Sequence, residues 1–445
     1  AGSRHSDGGG VLTEHSDRTA VRRKQLRKLR GVLRAVATGN RFYARKLADA
    51  GFVPLSVRTW DDYRRLPFTT KAELAADQQA HPPYGTNLSE SAESYTRLHQ
   101  TSGTGTGQPL RWLDTEENWR WLIACWRRTF RLMGLRTRSP VPDSPAREHA
   151  FFAFSYGPFL GFWTAFEAAA QVGMLTLPGG GMTTTARLKF LLAHKATVLF
   201  CTPTYALHLC DVAAAEQLDL SASDVRAVVV AGEPGGNIPA TRAKIETTFG
   251  ARVFDHYGLT EVGPVACESL DNPGGLFVLE EHFIPEVLEP GGDREVSVGE
   301  VGELVLTNLG RPDSPVLRYR TGDLVRVGTP THPADGRLFL DGGVIGRADD
   351  MIHVRGNNLY PSAIEAVVRR FPQVAEFRLV VDDSGPLADL RVEVEPTAAA
   401  DARQVCEAIG RAIRDELLFR TEVVAMPPGS LPRFEMKARR LVRIK

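Results

Sequence analysis

Between residues 150 and 235 the chain repeats one pattern, a short and continuously apolar run followed by a segment of helical spacing. The runs are 150-AFFAFSYG, 172-VGMLTLPGGG, 197-TVLFCTP and 225-VRAVVVAGEP. A strand that is apolar at every position has to be covered on both faces, and a helix between successive strands gives the crossover that parallel pairing needs. The expected fold class is therefore α/β, with a parallel sheet. Ligands in such sheets sit beyond the carboxyl ends of the strands. Here those ends are small or polar: Ser155-Tyr156-Gly157, Gly179-Gly180-Gly181, Thr202-Pro203 and Gly232-Glu233-Pro234. A binding site is expected at that edge.

The flanking segments have other periods. Residues 21–51 place Leu26, Leu29, Val32, Leu33 and Val36 at helical spacing with a break at Gly39-Asn40, which predicts two helices. Their basic run, Arg22, Arg23, Lys24, Arg27, Lys28 and Arg30, reads as the solvated face of an amphipathic helix. In 66-LPFTTKAELAAD-77, Thr69 or Thr70 is placed to cap a helix with an acidic residue three or four positions on. Residues 114–134 predict a helix in which Trp119, Trp121 and Trp126 serve as core. After residue 263 the pattern turns to hairpins, with period-two alternation over 300–327. A small αβ domain is expected from about residue 350, with helices at 361-PSAIEAVVRRFP and 402-ARQVCEAIGRAIRDEL and strands at 377-FRLVVDD and 390-LRVEVEP. The polar stretch 346-GRADDM reads as a linker before it. The expected division is a disordered tail or cloning remnant over 1–20, a core over 21–347 and a mobile C-terminal domain over 348–445.

Composition excludes several classes. The formal charge of +1 over 445 residues gives no global reason to expect nucleic acid or a membrane surface. No apolar run approaches the roughly 18 residues of a membrane span. Five widely spaced cysteines (Cys125, Cys201, Cys210, Cys267 and Cys406) form no CxxC pair, so neither a disulfide framework nor a zinc knuckle is indicated, and a reducing, cytoplasmic setting is expected.

The stretch 101-TSGTGTGQP-109 holds three glycines and four hydroxyl residues, the content of a loop that can wrap backbone amides around a phosphate chain. It does not fit GxxxxGK[ST], because Gln108 stands where the basic residue belongs. If ATP binds here, the machinery is of another kind.

Six motifs follow in one order: TSGTGTGQP, AGEP at 231–234, HYGLTE at 256–261, YRTGD at 319–323, GRADDMIHVRG at 346–356, and a terminal lysine in 436-MKARR-440. In this order the sequence resembles the adenylate-forming superfamily of acyl-CoA synthetases, most closely its phenylacetate-CoA ligase branch, over nearly its whole length. The resemblance implies a large N-terminal domain with parallel sheets and a β-rich subdomain, plus a small C-terminal domain. It also implies ATP-dependent conversion of an aromatic carboxylic acid to acyl-AMP and pyrophosphate, then thioester formation with CoA. The alternatives are an adenylase that loads a carrier protein or another nucleophile in natural-product biosynthesis, and a non-catalytic nucleotide-binding regulator. No nucleic-acid or membrane partner is implied, and a homodimer is left open.

The resemblance also implies roles residue by residue. Thr101, Ser102, Gly103, Thr104, Gly105, Thr106 and Gly107 would cradle the β- and γ-phosphates. Tyr257 would stack on adenine, flanked by Asp255, His256 and Gly258; Thr260 would touch the α-phosphate and Glu261 hold Mg²⁺. Asp323 would accept the ribose hydroxyls, Arg347 would reach ribose or phosphate, and Gly232, Glu233 and Pro234 would border the adenine and acyl pockets. Phe154, Tyr156, Gly157, Phe159 and Ala231 would line the acyl pocket. Lys437 would bridge the carboxylate and α-phosphate during acid activation. Asp349 would be the hinge, and Arg355 and Gly356 would border the thiol tunnel. Two departures stand out: the region before GRADDM holds no cysteine, so no structural zinc is expected, and the glycine loop carries an extra residue, Gly105, with Gln108 at the common lysine position.

Overall fold

The computed structural model describes residues 10–101, 109–137, 147–332, 337–354, 357–383, 388–434 and 438–444. They form two compact units: one drawn from 1–148, 155–176 and 256–343, the other from 149–154, 177–255 and 344–445.

The first unit opens with two helices, Gly10–Gly39 and Arg41–Asp49, so helix begins ahead of the boundary expected at residue 20. Asn40 makes the break: its side chain accepts the Tyr43 amide at 3.0 Å and caps the second helix. Leu29, Val32, Leu33 and Val36 are buried, while Arg22, Arg23, Lys24 and Arg27 are exposed, as an amphipathic helix requires; Lys28 and Arg30 depart from the solvated face, half-buried and donating to the Glu281 and Val57 carbonyls. Thr70, not Thr69, caps Lys71–Ala80, in a capping box with Glu73. The tryptophan-rich helix is Glu116–Leu132, with Trp119 and Trp126 buried. The hairpin region is a run of strands in the order 283–288, 301–308, 319–328, 339–347, 275–278, 263–267, 252–259, with antiparallel pairing from 283–288 to 319–328 and from 339–347 to 252–259.

In the second unit three of the four apolar runs form the expected parallel strands; the run at 172–181 gives the strand Leu175–Pro178, in which Leu175 is exposed and Leu177 alone is buried. His149–Phe152 pairs with Val198–Cys201, which pairs with Ala227–Ala231, in register Ala150 to Val198 to Ala227. Val198, Leu199 and Phe200 are fully buried, so both strand faces are covered; on the face of Phe151, Leu199, Val228 and Val230 the cover is the helices Thr184–Ala193, Pro203–Ala215 and Pro239–Phe249. The C-terminal part adds helices Pro361–Val368 and Ala402–Leu417 on a four-stranded sheet ordered 422–425, 389–396, 374–382, 441–444. Its two outer strands pair parallel and were not expected. The stretch read as a linker is also more regular than expected, since the strand Phe339–Arg347 runs through Gly346 and Arg347 before the chain turns.

Candidate active site

In the first unit, the segments HYGLTE and YRTGD meet. Tyr319, Thr321 and Asp323 lie on one strand and are all buried; between Arg320 and Leu324 this strand bulges, with Gly322 at φ +74°. The Tyr257 phenol donates to Asp323 Oδ2 at 2.6 Å, and the Tyr319 phenol donates to Glu261 Oε1 at 2.8 Å. Each segment therefore contributes one phenol and one carboxylate four residues apart, and the two pairs cross. Thr321 Oγ1 donates to the Leu304 carbonyl at 2.6 Å and accepts the Asp323 amide at 3.0 Å, fixing the turn that carries Asp323.

The start of this strand is pinned by the LPFTT segment. Thr69 Oγ1 donates to the Leu317 carbonyl at 2.8 Å, the Thr69 amide donates to the Arg318 carbonyl at 3.0 Å, and the Arg320 amide donates back to Thr69 at 2.9 Å. Arg318 sits at φ +42°, in the left-handed region that costs a non-glycine residue on the order of 1 kcal/mol or more. Its guanidinium is locked in place by Glu286 at 2.8 and 3.0 Å, the Leu66 carbonyl at 2.9 Å and the face of Phe68 at 4.0 Å.

Thr260 is held through its backbone. Arg311 Nη1 donates to the Thr260 carbonyl at 2.8 Å, while its Nε and Nη2 fork onto both oxygens of Asp114 at 2.7 and 2.6 Å. Both side chains of this ion pair are wholly buried. Asp114, Arg311 and Tyr319 were missed as site-supporting residues by sequence reasoning. The one signal for the pair was Asp114 directly after the apolar Trp112 and Leu113.

His256 is buried and stacks on Trp126 at 4.1 Å between ring centres; burial pushes its pKa down to about 3, so the imidazole is neutral. Gly258 is needed for space: a Cβ there would stand 2.8 Å from the Gly263 carbonyl oxygen. Thr101 closes the base of the glycine loop, its amide donating to the Leu110 carbonyl and its Oγ1 accepting the Leu110 amide, both at 2.9 Å. Ser102, Gly103, Thr104, Gly105, Thr106 and Gly107 lie outside the described residues. Tyr156 meets Trp163 and Phe166 edge-on at 4.7 and 5.5 Å, the Trp163 indole donates to the Gly157 carbonyl at 3.0 Å, and Phe159 is half-buried nearby in sequence.

In the second unit, Ala231 ends its strand and Gly232 turns the chain at φ +101° into Glu233 and Pro234. Glu233 Oε1 accepts the Thr204 amide at 3.0 Å and Oε2 accepts the Ala438 amide at 2.7 Å; burial nevertheless raises its pKa above the usual carboxylate value. Asp255 accepts from Asn237 Nδ2 at 2.7 Å, and Asn237 in turn accepts from Arg242 at 3.2 Å. Phe154 is buried. Arg347 and Asp349 form a two-point ion pair at 2.8 and 3.1 Å. Lys437, Arg355 and Gly356 lie outside the described residues.

A largely antiparallel array carrying crossed phenol–carboxylate pairs, a parallel α/β layer and a C-terminal αβ module define the adenylate-forming fold. The solved structure of 2-hydroxyisobutyryl-CoA ligase in its postadenylation state superposes with a TM-score of 0.86 at 27% identity, over 95% of this chain and 89% of that one. The AMP-binding enzyme signature matches residues 69–310, and that of the AMP-binding enzyme C-terminal domain matches 356–444. Phenylacetate-coenzyme A ligase of Thermus thermophilus is 31% identical over 451 residues, 96% of this chain and 97% of the relative. Its Escherichia coli counterpart is 32% identical over 435 residues, 95% and 94%. The chain belongs to the AMP-binding enzyme family and is an ATP-dependent, AMP-forming acid–thiol ligase. Among the described residues, no helix is long and apolar enough to cross a membrane.

Proposed function

We propose that this enzyme activates an aromatic carboxylic acid and passes the acyl group to coenzyme A. The observation that carries the aromatic assignment is the edge-on cluster of Tyr156 with Trp163 and Phe166, next to Gly157 in the segment assigned to the acyl pocket. Rings so arranged offer edges and faces to a flat substrate. The similarity to phenylacetate-coenzyme A ligases at 31% and 32% identity supports the same class and supports CoA as acceptor.

In this reading a carboxylate oxygen attacks the α-phosphorus, the bond to the β-phosphate oxygen breaks, and pyrophosphate leaves. The thiol sulfur then attacks the acyl carbon and AMP departs, the thiol proton going to solvent. The segment from Thr101 to Gly107 grips the leaving phosphates. Tyr257 faces adenine, Asp323 accepts from ribose, Thr260 meets the α-phosphate, and Arg347 serves ribose or phosphate. Lys437 offsets the charge that develops between carboxylate and phosphate, where an ammonium has most effect. Asp349 is the hinge, and Arg355 and Gly356 border the thiol's path.

The donors fit Mg²⁺, which Glu261 would hold. Its carboxylate is a hard oxygen ligand, the kind taken by an ion that keeps several waters and binds substrate phosphates. Bound there, Mg²⁺ would supply charge neutralisation on the phosphates.

The test is ATP/pyrophosphate exchange over benzoic, phenylacetic, cinnamic and aminobenzoic acids with aliphatic acids as a contrast, followed by thioester formation with free CoA. Exchange with aliphatic acids alone overturns the substrate class. AMP release that is indifferent to CoA but answers to a phosphopantetheinyl carrier protein transfers the acceptor to the carrier.

A further inference from the structure

Glu233 makes a contact that its expected place beside the nucleotide does not explain. One carboxylate oxygen sits on the first turn of the Pro203–Ala215 helix, taking the Thr204 amide at 3.0 Å, where an N-terminus favours negative charge. The other oxygen takes the amide of Ala438 at 2.7 Å, across 205 residues of sequence. Two residues further on, the buried Arg440 donates to Thr204 Oγ1 at 3.3 Å, while Glu376 at 2.8 and 3.2 Å and Glu365 at 3.4 Å balance its charge. A carboxylate and a hydroxyl from the parallel α/β layer thus hold two points of one short C-terminal segment.

The cost of this arrangement argues that it is specific. Enclosure in protein disfavours the ionised Glu233, yet both oxygens receive amide donors, and Arg440 adds a favourable charge. A carboxylate needed only to finish the Thr204 turn has no use for the second donor. Ala438, whose amide is held, is the residue that follows Lys437 in sequence.

We infer that Glu233 is a positioning residue for Lys437, a latch that seats the 438–440 segment for acid activation and is not needed for thioester formation. This rests on the reading of Lys437 as the residue of the first half-reaction. The Thr204 hydroxyl and Arg440 are the second point of the latch.

The experiment separates the half-reactions in the full-length enzyme. Glu233→Gln leaves one of the two amides without its acceptor, and Ala438→Pro removes one donor from the opposite side. Each is expected to lower the exchange kcat at least about tenfold, as loss of a charge-assisted hydrogen bond implies. In Ala438→Pro, KM for ATP should stay within about twofold, and thioester formation from supplied acyl-adenylate and CoA should remain at the wild-type rate. Once Ala438→Pro has removed the donor on the C-terminal segment, adding Glu233→Gln should cost the exchange reaction little more. Equal losses in both half-reactions, a raised KM for ATP with unchanged kcat, additive losses, or unaffected exchange would each overturn the latch. A wild-type enzyme that exchanges no pyrophosphate with any acid overturns instead the reading on which the latch rests.

Discussion

The Tyr257 phenol lies 2.6 Å from Asp323 Oδ2, the short separation of a hydroxyl donating to an ionised carboxylate. The bond ties the strand Arg252–Leu259 to the strand Tyr319–Gly328 and orients the Asp323 carboxylate. In the proposed roles the adenine and ribose contacts are therefore coupled. Tyr257→Phe is expected to raise KM for ATP about five- to thirtyfold, corresponding to about 1–2 kcal/mol, with kcat nearly unchanged. Discrimination between ATP and 2′-deoxy-ATP should fall in the same variant, because the ribose acceptor loses its orientation. Wild-type discrimination in Tyr257→Phe would show that Asp323 is oriented without the phenol.

The crossed partner, Tyr319 to Glu261 at 2.8 Å, predicts a different readout. Tyr319 holds one carboxylate oxygen, so its loss should loosen Glu261 without removing the ligand. Tyr319→Phe should need about tenfold more Mg²⁺ for half-maximal exchange and recover most of its activity when Mg²⁺ is saturating. Glu261→Gln should not recover. An unchanged Mg²⁺ titration in Tyr319→Phe would leave the phenol a purely structural role.

Which of these relationships could be read from sequence follows from their range. Tyr257, Glu261 and Asp323 stood out because each lies in a compact motif at the end of a strand or in a turn. That Tyr319 serves Glu261 was not legible, since it depends on strands 319–328 and 252–259 being brought into place by the three strands ordered between them. Asp114 and Arg311 are 197 residues apart and look like ordinary surface charges until the fold buries both. The parallel layer was legible because its strands are apolar on both faces. The outer C-terminal strands were not, because 422–425 and 441–444 are short, half-buried and interrupted by charge. Gly346 and Asp349 suggested a linker, yet Gly346 lies within a strand and only the residues after Arg347 turn.

The wholly buried fork of Arg311 on Asp114 predicts that stability and positioning can be separated. Arg311→Met strands an ionised carboxylate in the interior and should cost about 3–5 kcal/mol in denaturant unfolding. Replacing both residues by apolar side chains, Asp114→Leu with Arg311→Met, should restore much of that loss, because no charge is left uncompensated. Activity should not return with it, since the Thr260 carbonyl still lacks the donor it has at 2.8 Å. A double variant that regains both would confine the pair to folding.

Glu395 gives the last prediction its sign. Its carboxylate receives Arg433 at 2.6 and 3.0 Å, the Gly429 amide at 2.8 Å and the Leu431 amide at 3.2 Å, gathering the loop that precedes Lys437. The Arg433 hydrogen bonds, opposed by burial and helped by the two amides, hold its pKa below the ordinary value of 4.5. The folded protein thus binds this proton less readily than the unfolded chain. Its stabilising contribution is complete above pH 4.5 and is lost as the pH falls through the depressed folded value. Glu395→Gln removes the titrating group, so the difference in unfolding free energy between wild type and variant should be constant from neutral pH down to about 5. Below that it should shrink steadily as the wild-type carboxylate protonates and the two proteins converge. A difference that stays constant through the acid range would show that the loop is held without the ionised form of Glu395.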